Sequence, residues 1–498
     1  MNMNMHKQML EKAQRAVEQN RESVRLNAKK RQWYHFMPEC GWMNDPNGLV
    51  HFKGKYHLFY QHYPYGPYWS AMHWGHAVST DLLHWEYLPI ALAPSEPYDD
   101  YQKGGIYSGG AVVGDDGKLY LFYTGTLVKD GKVIKSQCVA FSEDGINFEK
   151  YEGNPIVPPT DLVESDPKVW KHGDKWYMIV GGELDRKGRA ILYVSDNLTE
   201  WELFGTILES DGSLGAMWEC PDLFHIDGKD VLVIGPMHLN EQKCTYIVGD
   251  LDYERRRFEP GISGEVDYGF DYYAPQSFED HLGRRLQFAW ANAWDWMPWW
   301  KGFGTTAQEG WCGALNLPRE VHIVNGKPTF TPVDELTNLR NNHKDYGSLQ
   351  VKEQERVEIE AGDGVHFEIL AKLSLEKTSA QRLVFQLRCG ERIQGCNDRH
   401  TDFIFDLKEK RITVDRNFSD DWSNGKKSFD IDMDDASELV IHFYSDTVSI
   451  ELFTEKYQKA FSLNVYPEDV CNKIYLSTQD GEASFISFET WGLNQVCI

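Results

Sequence analysis

Long apolar runs are missing from this 498-residue chain. Nothing in it is apolar over enough length to span a bilayer. Met1 to Arg31 is polar and charged, without the unbroken apolar core of a secretory signal. Paired cysteines are missing as well. The nine cysteines (Cys40, Cys138, Cys220, Cys244, Cys312, Cys389, Cys396, Cys471 and Cys497) are scattered, odd in number and contain no Cys-x-x-Cys. That pattern argues against a disulfide frame or a zinc site and reads as reduced thiols in a cytoplasmic protein. Positive charge is scarce: 51 Lys and Arg against 76 Asp and Glu leave a formal net charge of −25. Such a balance argues against nucleic acid or an anionic membrane surface as partner and reads as a solvated acidic surface. No oligomeric state is legible.

What is present is enough apolar material, 41% of residues, for sizeable cores, and a length that suggests two or more domains. Residues 3 to 30 are rich in Lys, Glu, Gln, Arg and Ala. Leu10, Ala13, Val17, Val24 and Leu26 give them a loose helical stripe, so residues 1–32 read as a leader helix that packs on the body of the protein. From about 33 to 335 the chain repeats. A Gly turn followed by a strand recurs at Gly54, Gly117, Gly173, Gly228 and Gly283, with gaps of 63, 56, 55 and 55 residues. A second echo alternates with it: Ser79-Thr80-Asp81 to Trp85-Glu86, Ser142-Glu143-Asp144 to Phe148-Glu149, Ser195-Asp196 to Trp201-Glu202, and a weaker copy at Asp250 to Glu259. Antiparallel strands repeating at this period predict an all-β, five-bladed β-propeller around a central channel. The pattern breaks at Thr331-Pro332 and the polar stretch Asn338 to Tyr346. From 345 to 498 alternating strands without the echo, such as Phe403-Ile404-Phe405-Asp406-Leu407, predict a β-sandwich.

Carboxylates recur in phase with the repeat. Asp45 and Glu219 each lie nine residues ahead of a Gly turn, and Asp166 occupies a nearby position in a third repeat. Equivalent positions converge when blades close around an axis, and convergent carboxylates suit acid/base and nucleophilic work on a sugar bond. The five candidate channel-lining segments contain Asp45, Tyr107-Ser108, Asp166, Glu219 and Tyr273, and in four a proline follows the key position (Pro46, Pro167, Pro221, Pro275). Proline there stops regular pairing and aims the backbone inward. Alone, Asn44-Asp45-Pro46-Asn47-Gly48 reads equally as a turn; the repeat is what favours catalysis.

Trp42-Met43-Asn44-Asp45-Pro46-Asn47-Gly48 resembles the β-fructosidase motif of glycoside hydrolase family 32, the invertase and sucrose-6-phosphate hydrolase family. Trp218-Glu219-Cys220-Pro221-Asp222 is similar to its acid/base motif. Met72-His73-Trp74-Gly75-His76, Asp267 to Gln276 and Gly313 to Glu320 resemble further blocks. The resemblance implies a retaining hydrolase of terminal β-D-fructofuranosides such as sucrose or sucrose-6-phosphate, working through a covalent fructosyl-enzyme. It implies Asp45 as nucleophile, Glu219 as acid/base and Asp166 as transition-state stabiliser. Trp42, Asn44, Gln61, Trp69, Tyr107, Ser108, Ser165 and Trp290 then fall around the fructosyl unit, although most of the 17 Trp must serve ordinary packing. Retention requires the two carboxyls about 5 Å apart. No cofactor or metal is needed, and the partner is a small sugar.

Two positions depart from the pattern. Ser165-Asp166-Pro167 stands where the family has Arg-Asp-Pro, and Tyr107-Ser108 where it has Phe-Ser. A five-donor guanidinium is not replaced by a hydroxyl. Either a base from elsewhere fills the gap, with Lys168 or Lys103 as candidates, or the substrate is a modified fructofuranoside, or activity is low. A phosphate group would need cations at the rim, with Lys103, Arg284 and Lys301 available. A fructosyltransferase and a catalytically weak sugar-binding propeller are the competing readings.

Overall fold

The computed structural model describes residues 3–237, 239, 244–294, 304–390, 399–433 and 436–496; Cys396, Cys497 and Lys301 lie outside them. Strands dominate. The chain forms two compact units: one of residues 1–28, 36–266 and 272–328, the other of 29–35, 267–271 and 329–498. The seven described cysteines are buried and unbridged.

Among the described residues the first unit contains five sheets, antiparallel except where Trp311–Cys312 joins the first in parallel. Their lead strands are Gly41–Phe52, Gly105–Val113, Ser165–His172, Met217–Ile226 and Tyr273–Glu279. Each lead strand pairs with the next strand in sequence, then a third and a fourth follow outward. The predicted Gly turns join lead strand to second strand. Gly54, Gly117, Gly173, Gly228 and Gly283 all have φ between +57° and +79°, and a side chain there would meet nothing within 4 Å. Glycine is selected for the backbone conformation, not for lack of room. At Lys53-Gly54 and Asp227-Gly228 both residues have positive φ, as a two-residue type I′ hairpin demands.

Alternation of side chains explains how the sheets stack. In the second sheet Leu121 and Tyr123 pack with Phe59 and Trp74 of the first. Phe122, between them in sequence, faces the other way, against Met178 and Val180 of the third. Ile179, between those two, joins Leu232 and Ile234 of the fourth. Successive strand residues point to opposite faces, so each inner sheet is buried on both. Each lead strand contacts the lead strand of the next sheet, and the fifth contacts the first.

Every lead strand slips register at a similar height. The shifts fall between Met43 and Pro46, Tyr107 and Gly109, Glu219 and Asp222, and Tyr273 and Gln276. In the third sheet the slip lies between the partners of Ser165 and Lys168. Asp166, Cys220 and Ala274, each followed by proline, have φ of 64°, 46° and 49°. A left-handed non-glycine residue costs about 1–3 kcal/mol and clusters where function needs it. These bulges turn the side chains on which the site depends.

Helix Met3–Asn27 contacts the outer strand Trp85–Leu92 of the first sheet. Ala13, Val17 and Val24 are buried, but Leu26 is 66% exposed, so the apolar stripe stops two residues earlier than the sequence suggests. Among the described residues no helix is long and apolar enough to cross a membrane.

The second unit holds two sheets of seven and six strands. Phe367, Ile369, Phe443 and Ile450 of one and Phe385, Phe403, Phe405 and Leu476 of the other share a single core. The polar stretch read as a break contains a strand, Arg340–Asp345, that pairs with Ala483–Leu493. Its residues are half-exposed or exposed, so no apolar alternation marks it. His35 lies between Asp446 (2.8 Å) and Glu451 (3.2 Å), all three buried.

Candidate active site

The bulge of the first lead strand sets Asp45 into a buried ring of donors. Asn44 Nδ2 donates to Oδ1 at 3.0 Å, Ser108 Oγ donates to Oδ2 at 2.6 Å, and Cys220 Sγ lies 3.5 Å from Oδ2. Asn44 is itself oriented by Trp42, whose indole N–H donates to its Oδ1 at 2.8 Å. Burial pushes Asp45 up to about 6; the Ser108 and Asn44 hydrogen bonds hold it down and the charge of Asp166 adds to the rise.

Asp166 is fixed from three sides. Its N–H donates to Thr124 Oγ1 at 2.8 Å, and Oδ2 accepts from the Cys220 N–H at 3.0 Å and from Ser165 Oγ at 3.2 Å. Cys220 thus ties two acids together, its thiol on Asp45 and its backbone on Asp166. Burial raises its thiol pKa well above the ordinary range, reinforced by Asp166, Asp45 and Glu219, so the sulfur is an inert donor.

Glu219 is provided for differently. Among the described residues one hydrogen bond reaches it, from Tyr273 OH to Oε2 at 2.8 Å. The residue as a whole is half-buried. Burial raises it to about 7, Asp166 and Asp45 adding to the rise, while Lys135 and the Tyr273 hydroxyl oppose it. Asp45, Asp166 and Glu219 therefore stand within each other's electrostatic reach, as does Tyr107, whose phenol is raised by burial and then by Glu219 and Asp166.

The sequence-derived binding residues divide into two groups. Tyr107 is half-buried beside Trp69, with ring centroids 6.0 Å apart in an edge-to-face arrangement, and both present accessible surface. Gln61 is buried, donating to the Ile106 carbonyl at 3.0 Å. Trp42 and Trp290 are fully buried, edge to face at 5.9 Å, and back the site without offering a free ring face.

Neither lysine proposed to replace the missing arginine does so. Lys168 is buried against Asp222 (3.4 Å), Gln276 (3.3 Å) and the Ser277 carbonyl, where it links the third, fourth and fifth sheets. Lys103 is exposed in a turn. Arg284 is committed to Asp280 and the Tyr56 hydroxyl. The cation at Ser165 is Lys135, whose Nζ donates to Ser165 Oγ at 3.2 Å. Sequence reasoning missed it because it comes from the third strand of the second sheet, 30 residues away and outside every motif. Tyr273 lay in a candidate channel-lining segment, but nothing in the sequence tied its hydroxyl to Glu219.

Comparison with known proteins identifies a family. Residues 35–332 match the glycosyl hydrolases family 32 N-terminal domain, and residues 335–492 match the family 32 C-terminal domain. A sucrose-6-phosphate hydrolase of Zymomonas mobilis is 36% identical, covering 93% of this chain and 92% of its own. A raffinose invertase of Escherichia coli is 32% identical, over 98% of this chain and all of its own. The Bombyx mori GH32 β-fructofuranosidase, in a mutant complex with sucrose, superposes with a TM-score of 0.81 at 30% identity, over 98% of this chain and 99% of its own. Such neighbours fit a propeller followed by a sandwich. This chain belongs to glycosyl hydrolase family 32.

Proposed function

We propose that the chain is a retaining β-fructofuranosidase acting on small fructosides of the sucrose and sucrose-6-phosphate type. The five lead strands, each touching the next and the last touching the first, support closure into a five-bladed propeller with the site at its axis. The two-part division of the chain, with a catalytic region to about residue 335 and a sandwich from about 345, goes with that reading.

The observation that carries it is the unequal provision for two neighbouring carboxyls. Asp45 receives donors on both oxygens, which favours the anion a nucleophile must be. Glu219 receives one, and burial with two acidic neighbours lifts it to about 7, which favours the protonated form a general acid must be. Asp45 attacks C2 of the fructosyl unit while Glu219 gives its proton to the departing glycosidic oxygen. Glu219 then takes a proton from water, the water oxygen bonds to C2, and Asp45 leaves. Asp166 faces the ring hydroxyls and the positive charge that develops at C2. Tyr107 and Trp69 offer apolar faces to the sugar C–H groups.

The test is a panel of sucrose, sucrose-6-phosphate, and short inulin and levan oligomers, with released sugars identified. Free fructose from the short substrates supports hydrolysis; fructosylated products at high sucrose indicate transfer. Asp45→Asn must abolish either. Survival of turnover in that variant, or inertness of the wild type toward all four, overturns the reading.

A further inference from the structure

The third strand of the second sheet, Lys132–Ser142, turns one face to the segment that carries Asp166. Two residues on that face reach it. Gln137 Nε2 donates to the Glu164 carbonyl at 3.0 Å, and Gln137 Oε1 accepts from Thr124 Oγ1 at 2.9 Å, the same hydroxyl that receives the Asp166 N–H. Two positions earlier, on the same face by strand alternation, Lys135 donates to Ser165 Oγ. Gln137 is buried and neutral, and with Thr124 it already fixes the backbone of residues 164–166. Lys135 is only partly buried and charged. Ser165 Oγ passes its own proton toward Asp166 at 3.2 Å, so Lys135, Ser165 and Asp166 form a chain of two hydrogen bonds ending on the acid.

An ammonium has three donors. Ser165 takes one of those on Lys135, and the other two have no acceptor among the described residues. No carboxylate there lies within ion-pair distance of this nitrogen. A lysine needed only to orient a serine would not have to keep a charge, two spare donors and solvent access next to the serine that bonds Asp166. Its field reaches Glu219, where it opposes the rise produced by burial and by Asp166. The position also accounts for Ser165: the positive charge that the family motif carries on the residue before the aspartate is supplied here from the neighbouring sheet.

We propose that Lys135 is a substrate-contacting residue, donating from its ammonium to a hydroxyl of the sugar ring that Asp166 also holds. The inference rests on the fructosidase reading above and adds the residue that decides which ring hydroxyl is recognised. Lysine is a compact point charge on a flexible stem, unlike the rigid fork of arginine. The site should therefore tolerate more variation at that hydroxyl than a guanidinium would allow.

The experiment compares wild type, Lys135→Met and Lys135→Arg on sucrose and on four sucroses singly deoxygenated at C1, C3, C4 or C6 of the fructosyl unit, across pH. Lys135→Met is expected to lower kcat/KM for sucrose at least tenfold. The alkaline limb of its profile should move to higher pH, because a positive charge that favoured ionised Glu219 is gone. For one deoxy-sucrose the methionine variant should lose no more than wild type already loses. Lys135→Arg should keep the wild-type alkaline limb and confirm that charge, not shape, sets it. Wild-type kcat/KM and an unmoved limb in Lys135→Met, or equal losses on all four analogues, would overturn the proposal while leaving the fructosidase reading intact. A wild type inert toward every fructoside would bring down the fructosidase reading itself, and this inference with it.

Discussion

The hydroxyl of Ser108 donates to Oδ2 of Asp45 at 2.6 Å across the boundary between the first two sheets. A serine from one lead strand thus holds the carboxylate of another, and both sit in register slips of otherwise regular strands. The bond is short and charge-assisted, the kind that contributes about 1.5–3 kcal/mol.

Ser108→Ala removes it. Because the bond favours the ionised form, the Asp45 pKa rises above its present value of about 6, and the acid limb of kcat/KM moves to higher pH. Activity at the optimum falls by about 10- to 100-fold, the equivalent of that bond energy. Steady-state sucrose hydrolysis between pH 4 and 9 checks both; an unmoved acid limb would detach Ser108 from Asp45 ionisation.

The pH profile of the wild type follows from two directions of shift. In the proposed roles Asp45 must be ionised, so activity rises with pH through about 6, and Glu219 must be protonated, so activity falls above about 7. The result is a narrow bell whose limbs belong to the coupled acids together. Tyr273→Phe deletes the bond that opposes Glu219's rise, so its alkaline limb should move up while the acid limb stays. A profile flat between pH 5 and 9 would contradict the assignment.

Ser165→Arg restores the family motif but sets a guanidinium into a fully buried position already met by the Lys135 ammonium. Overpacking of such a site costs about 1–3 kcal/mol. Both Tm and kcat/KM should drop in the single variant, and Lys135→Met added to it should recover part of the activity. A gain of activity in the single variant would show that the two cations do not compete for the same place.

The second unit makes a stability prediction. Burial disfavours a charged His35, but hydrogen bonds to Asp446 and Glu451 outweigh it and hold the ring near 9. A raised pKa stabilises the fold fully below the ordinary histidine value of 6.5 and loses that contribution as pH rises through 9. Asp446, buried yet held down to about 2 chiefly by His35, loses its contribution as pH falls from 3.8 through 2. His35→Gln removes the cation that two buried carboxylates share and should cost about 3–5 kcal/mol at pH 6. Urea midpoints should show the gap to wild type shrinking between pH 6.5 and 9.

Much of this molecule was legible because its repeat is written in obligatory residues. Gly54, Gly117, Gly173, Gly228 and Gly283 mark hairpins whose φ other residues resist, and Pro167 and Pro221 mark bulges that no regular strand accommodates. Asp45, Asp166 and Glu219 could be found from those marks together with the motif resemblance. Lys135 could not. Its place depends on which strand of the neighbouring sheet faces Ser165, and a lysine in an alternating strand looks like any solvated lysine. Lys168 misled for the same reason in reverse: it lies two residues from Asp166 in sequence, yet its ammonium goes to Asp222 and Ser277. The strand Arg340–Asp345 escaped because it exposes most of its side chains, so polarity masked its pairing.

The central claim is that Asp45 bonds covalently to the sugar while Glu219 manages the proton. Glu219→Gln treated with β-D-fructofuranosyl fluoride, whose leaving group needs no acid, should form the intermediate and lack the base to release it. Acid quench and peptide mass mapping should then find a hexosyl adduct on Asp45 and on no other residue. An adduct on a different side chain, or release of fructose without any adduct, would contradict the account.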